Sequence, residues 1–182
     1  MRLRLNLIAA VLCLLPTAVW AEGKRDPDLP KLDPEGYWRV VTDDPSTTTS
    51  KCIGKNISPE CTLETEIAAF FRADNDLLTV ATGMRRQQWE ERLTKTSETS
   101  IKYRIVSSGR VGKNPPKYDD MHQEFSWVKG DVWVIVDERD CRGNQCAEPT
   151  PATAPFFLMR YAFHKFGRRW LSIYSGDLHW VQ

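Results

Sequence analysis

Between Ser58 and Asn75 the apolar residues fall at helical spacing, with Ile67, Phe70 and Phe71 following Leu63 by four, seven and eight positions. Such spacing predicts a helix with one apolar face. Its start is marked by Ser58-Pro59-Glu60, because serine caps free amides, proline fits the first turn, and Glu60 and Glu64 oppose the positive end of the helix dipole. The helix is expected to end near Asp74-Asn75. Leu77, Leu78 and Val80 predict a second short helical turn that stops at Gly83, and Arg85 to Leu93 reads as a polar helix with Trp89 and Leu93 on one side.

From Thr99 onward the period changes. Ile101, Tyr103 and Ile105 alternate with Lys102 and Arg104, the pattern of a half-buried strand. Glu124 to Val128 is a candidate second strand, and Val132 to Val136 is apolar and β-branched enough to be central in a sheet. Phe157, Met159, Tyr161 and Phe163 alternate on a long strand, Phe166-Gly167-Arg168 turns, and Trp170 to Tyr174 returns as a hairpin. Helices first and an antiparallel sheet afterwards predict an α+β fold in which helices cover one face of the sheet.

The first residues read as an export signal. Arg2 and Arg4 precede an apolar run from Leu5 to Leu15, and Val19-Trp20-Ala21 offers a signal-peptidase site, so cleavage is expected after Ala21. That run is too short for a permanent bilayer-spanning helix, which needs about 20 apolar residues, so no integral membrane anchor is expected. Cys13 lies inside the run, where it does not make a lipid-attachment site. Residues 22–36 carry Pro27, Pro30 and Pro34 among charges, a composition that reads as a disordered tether. Residues 37–182 then form a single domain, starting with the strand-like Tyr37-Trp38-Arg39-Val40-Val41.

Charge excludes some functions. The 182 residues carry 25 Lys and Arg against 24 Asp and Glu, and loss of Arg2 and Arg4 with the leader takes the formal charge from +1 to −1. Charges are interspersed rather than blocked, which argues against nucleic acid as a partner. Four cysteines follow the leader: Cys52, Cys61, Cys141 and Cys146. An even count in an exported chain favours disulfides, and Cys52 with Cys61 and Cys141 with Cys146 each bracket a short loop. A zinc site is the competing idea, but neither pair has zinc-knuckle spacing and no histidine adjoins them.

Candidate chemistry is sparse. His122 and Glu124 follow Asp119-Asp120 and share a strand face, an arrangement able to hold a cation or act as a base, although solvated charge is the usual outcome there. His164 falls on the polar face of its strand, and His179 adjoins Trp180 in the tail. No nucleophile elbow and no glycine-rich phosphate loop are present. Neither a catalytic residue, a metal nor a cofactor is therefore assigned.

The segment Ser-Pro-Glu-Cys-Thr-Leu-Glu-Thr-Glu-Ile-Ala-Ala-Phe-Phe-Arg-Ala-Asp-Asn (58–75), followed by a curved-sheet pattern closing on Trp170-Leu171-Ser172-Ile173-Tyr174, resembles the NTF2-like (cystatin-like) cone proteins. Cys61 before the helix body, and Glu138-Arg139-Asp140-Cys141 to Cys146 before the last hairpin, look like a group of uncharacterised exported proteins of Gram-negative bacteria. The resemblance implies a cone with an inner pocket, which some members use as isomerases or dehydratases and others for binding or assembly. Tyr103, Trp133, Tyr161, Tyr174 and Asp177 are the candidate pocket lining, and aromatics of this kind more often simply fill the core. Two functions follow: a periplasmic or secreted non-enzymatic protein binding a small ligand or an envelope protein, or a small pocket enzyme of isomerase or dehydratase type. Convergent acid and tyrosine groups inside the cone favour the second, and a cone filled by Phe and Trp favours the first.

Overall fold

A computed structural model describes residues 26–84, 93–95, 97–112, 128–150 and 157–177. The leader, all but the last residue of the polar helix expected from Arg85 to Leu93, most of the strand expected from Glu124, and His122 and His179 lie outside the described residues. Within them the fold is α+β. Strand β1 (Arg39–Thr42) and a short 3-10 turn (Pro45–Thr47) precede helices α1 (Pro59–Arg72) and α2 (Asn75–Thr82). Strands β2 (Ser100–Arg110), β3 (Val132–Arg142), β4 (Gln145–Cys146), β5 (Leu158–Phe166) and β6 (Arg169–Asp177) follow. All pair antiparallel in the order β1-β2-β3-β5-β6, with β4 paired to β3.

Local chemistry sets the helix ends. Ser58 Oγ accepts from the Cys61 amide at 3.1 Å, and Pro59 occupies the first turn. Ala73 ends α1 in the left-handed region at φ 51°, and Asp74 at once caps α2, its Oδ1 accepting from the amides of Asp76 and Leu77. Gly83, at φ 70°, ends α2. The two helices therefore form a tight corner with no free linker.

Both ends of the strand path, β1 and β6, touch α1. In a flat sheet four interstrand steps of about 4.8 Å would hold them about 19 Å apart, wider than a helix of about 10–12 Å. The sheet must therefore curl around α1. Register shifts between Ile105 and Ser107 and between Ala162 and Phe163 help to bend it. Leu63, Ile67 and Phe71 of α1 pack in the hollow against Val41, Ile105, Val134, Val136, Phe163 and Trp170, all fully or nearly fully buried.

Two expectations are corrected here. Phe70 is 38% exposed, whereas Phe71 is in the core. Consecutive helical residues point about 100° apart, so only one of the two phenylalanines faces the sheet. Residues 26–36 are not a free tether over the described part. The Asp33 amide donates to the Ile105 carbonyl at 2.9 Å, and its Oδ2 accepts from the Ile105 amide at 2.8 Å, so the segment runs along the edge of β2 beyond the end of β1. Asp26 and Asp28 both bind Arg110, Pro30 is buried, and Leu29 packs against the core. Composition alone missed this because the contacts come from carboxylates spaced along the segment rather than from apolar bulk.

Cys52 is bonded to Cys61, and Cys141 to Cys146. The first bridge ties the loop of residues 50–57 to the start of α1. That loop also receives the outer edge of β6, where the Trp170 amide donates to the Asn56 carbonyl at 2.8 Å. No described helix is long and apolar enough to cross a membrane.

Candidate functional site on the concave face

Alternation along β3 carries Val132, Val134 and Val136 inward and continues to Glu138. Glu138 stands directly opposite Tyr103 of β2, so the two share the concave face. The Tyr161 hydroxyl of β5 donates to Glu138 Oε2 at 2.9 Å, and Ser175 of β6 stands opposite Tyr161. A polar row thus crosses four strands, β2, β3, β5 and β6, in the otherwise apolar hollow.

Glu66 of α1 faces this row. The residue is 2% exposed, and its Oε2 has no hydrogen-bond partner. Burial pushes its pKa up to about 7; hydrogen bonds from Ser172 and Ser175 offset part of that, and the nearby Glu138 carboxylate adds to it. Tyr161 is driven well above the usual phenol range by burial and by Glu138. Tyr103 is fully buried; burial together with Glu64 raises its pKa, and the Arg39 guanidinium beside its hydroxyl offsets part of that.

Beyond Tyr103 lies a second polar cluster. Arg39 of β1 reaches Asp33 through Nε at 2.9 Å, Glu60 at 2.6 Å and Glu64 at 2.8 Å through Nη1. Burial works against its charge, but the bonds to Asp33 and Glu60 outweigh that and raise its pKa. Glu64 Oε2 also accepts from Ser50 and lies 3.0 Å from the bridged Cys52 sulfur. Tyr37, Thr49, Lys51 and Cys52 join these side chains around a cleft of about 260 Å³. One guanidinium thus serves three carboxylates, which makes this a structural node more than a reactive one.

The five lining candidates separate. Tyr103 and Tyr161 belong to the concave row. Trp133 does not: it alternates with the buried Val132 and Val134, and its ring covers Gly109 on the opposite face, where an added Cβ would come within 2.5 Å of Cζ2. Tyr174 and Asp177 lie in β6 at the register positions of Ala162 and Met159. On the outer surface His164 Nδ1 is 2.6 Å from the buried Asp131 carboxylate, while Trp38 is flanked by the guanidinium groups of Arg104 and Arg139 at 5.2 and 4.5 Å.

Glu66 and Glu138 were not singled out from the chain, although both leave a signal in it. Glu66 interrupts an apolar helical stripe between Leu63 and Ile67, and Glu138 occupies an inward position in the alternation of β3. No set of three His, Cys, Asp or Glu side chains among the described residues is grouped to hold a metal ion. No family model matches the chain, and neither does any curated protein or solved structure.

Proposed function

We propose that the chain is an exported cell-envelope protein, periplasmic or secreted, that binds a small ligand at the concave face of an NTF2-like cone. The observation that carries this is the buried carboxyl of Glu66, which presents an oxygen without a partner to a row of tyrosine and glutamate side chains. Buried polar groups are normally satisfied, so an open acceptor inside the hollow is a recognition feature in wait of a donor. The cone reading is supported by the curl of the antiparallel sheet around α1, and export by the leader pattern and the two disulfides. On this reading the exported form begins at Glu22, and mass analysis finding Met1 retained would end that part.

A thermal-shift screen of small molecules against the exported form tests the binding function. A ligand that binds only the folded state raises the unfolding temperature, and the rise should vanish in Glu66→Gln. A ligand whose effect survives that substitution binds away from Glu66 and would overturn the concave-face site.

One observation favours the enzymatic reading. A carboxyl titrating at about 7 suits a general acid or base at neutral pH, and Glu66 lies with Tyr161 in the same hollow. That reading requires turnover of a bound carbonyl compound, seen as solvent deuterium entering the carbon next to the carbonyl and abolished by Glu66→Gln.

A further inference from the structure

We propose that the cleft between the 3-10 turn, the loop of residues 48–53 and the C-terminal end of α1 binds the phosphate group of a small phosphate monoester. The cleft shares no residue with the concave row, so this goes beyond the reading above and does not depend on it.

The lining carries charge of one sign. Pro45, Thr48, Ser50, Lys51, Ile53 and Arg72 surround a space of about 300 Å³, with no carboxylate among them. Arg39, Arg104, Arg110, Arg139 and Arg142 each bind a carboxylate. Half-buried Arg72 instead bonds to neutral oxygens: its Nε donates to the Thr42 carbonyl at 2.9 Å and its Nη2 to Thr48 Oγ1 at 3.2 Å. Nη1 has no partner among the described residues, and neither has the ammonium group of exposed Lys51. Asp74 and Asp76 border Arg72 in a neighbouring cleft, but Asp74 is already used as the cap of α2 and neither is ion-paired with the guanidinium. A cation at a helix C-terminus is favourable in itself. That accounts for the charge of Arg72, but not for a second unpaired cation or for a lining free of acids.

The available donors narrow the class of ligand. The Thr48 hydroxyl accepts from Arg72 and from the Thr42 amide and donates to the Asp44 carbonyl, while the Ser50 hydroxyl bonds to Glu64. What remains is a guanidinium edge and an ammonium group, so the ligand must be an anion that brings acceptors. The bonds to Thr42 and Thr48 hold the guanidinium between α1 and the turn after β1, which fixes it before a ligand arrives. A guanidinium edge takes two oxygens in parallel, and an ammonium group takes a further one as a point charge. The three terminal oxygens of a phosphate monoester serve both groups, and its charge of about −1.5 to −2 near neutrality balances them. A carboxylate has only two oxygens and one charge. Ile53, which packs against the core, and Pro45 offer apolar surface to the organic part of the ester.

Titration calorimetry on the exported full chain with phenyl phosphate, benzoate and phenol is the test. Phenyl phosphate should bind saturably, more weakly in high salt, and more tightly at about pH 7.5 than at about pH 5, because the second phosphate ionisation lies near 6. Lys51→Gln changes an exposed side chain that makes no bond in the fold. It should weaken binding about tenfold or more without moving the unfolding temperature. Arg72→Lys keeps the charge but loses the planar edge and should weaken binding as well. Glu66→Gln should leave this affinity unchanged, which separates the cleft from the concave face. Sedimentation with vesicles containing phosphatidic acid, if it depends on Lys51, upholds the phosphate site with a lipid headgroup as its source. Binding of phenyl phosphate without vesicle binding upholds it with a soluble ester. Benzoate or phenol binding as tightly as phenyl phosphate, affinity that survives Lys51→Gln, or no phenyl phosphate binding at millimolar concentration would each overturn the proposal.

Discussion

Tyr161 stands opposite Val134 in the β3–β5 ladder, yet its hydroxyl donates to Glu138, four residues further along β3. The bond thus runs along the hollow rather than across one rung, and it fixes a buried phenol against a carboxylate. Tyr161→Phe keeps the ring and deletes the donor, which leaves a carboxylate oxygen without that hydrogen bond. A loss of about 1–3 kcal/mol is expected, measured by urea unfolding. Tyr161→Phe with Glu138→Leu should be less damaging than the single changes add up to, since no orphaned polar atom remains. Strict additivity would show that the two groups do not depend on each other.

Glu66 makes stability depend on pH. Its folded-state pKa is raised to about 7 from an ordinary value of 4.5, so the folded form holds the proton more tightly than the unfolded chain. The favourable contribution is complete below the unfolded value and is lost as pH rises through about 7. Stability should therefore fall between about pH 4.5 and 7 by roughly 3 kcal/mol on this group's account. Glu66→Gln, neutral throughout, should flatten that slope and be more stable than the wild type at about pH 8. Denaturant unfolding at three pH values measures it, and an unchanged slope in Glu66→Gln would assign the dependence to other groups.

The two phenylalanines at the end of α1 offer a packing test. Phe71 is 2% exposed and lies in the core cluster, whereas Phe70 is 38% exposed. Phe71→Ala should cost about 3–5 kcal/mol, a large part of the stability of a single domain. Phe70→Ala should stay within about 1 kcal/mol. Thermal unfolding of both variants suffices, and equal losses would mean that α1 is rotated from the orientation described.

Much of the architecture was legible along the chain because local rules agreed there. Ser58-Pro59 began α1, Gly83 ended α2, and the strict alternation of Ile101-Tyr103-Ile105 and of Tyr161-Phe163 marked strands that are present. The separation of Phe70 from Phe71 was not legible, since a four-seven-eight spacing bounds a face without giving its centre. Nor was the strap. Asp26, Asp28 and Asp33 look like solvated charge until Arg110, Arg39 and the Ile105 amide are brought to them from distant positions. The site was half legible. Tyr103 and Tyr161 carried aromatic and polar character and drew attention, whereas Glu66 and Glu138 were hidden among other acids of the same elements, Glu60 and Glu64 in α1 and Asp137 and Asp140 in β3. Only the curl of the sheet around α1 turns Glu66 and Glu138 toward the same hollow, Glu66 buried and Glu138 half-buried.

The last prediction concerns Arg39, which holds the strap, the start of α1 and β1 together. Its guanidinium binds Asp33 through two nitrogens, at 2.9 Å from Nε and 3.0 Å from Nη2, and turns Nη1 to Glu60 and Glu64. Asp33 in turn anchors residues 26–36 to the Ile105 amide. Removing the cation leaves Asp33 and Glu64 as buried acids with like neighbours, a situation that costs about 3–5 kcal/mol. Arg39→Met should therefore destabilise strongly, and should expose the strap to protease cleavage between Pro27 and Tyr37 before the rest of the domain unfolds. Arg39→Lys keeps the charge but not the planar fork, so it cannot serve three carboxylates at once and should recover only part of the loss. If repulsion among the acids is the cause, Arg39→Met combined with Glu64→Gln should be more stable than Arg39→Met alone. Thermal unfolding and limited proteolysis of the three variants decide the matter. A stable Arg39→Met protein with a protected strap would show that the segment is held by Arg110 and the Ile105 backbone instead.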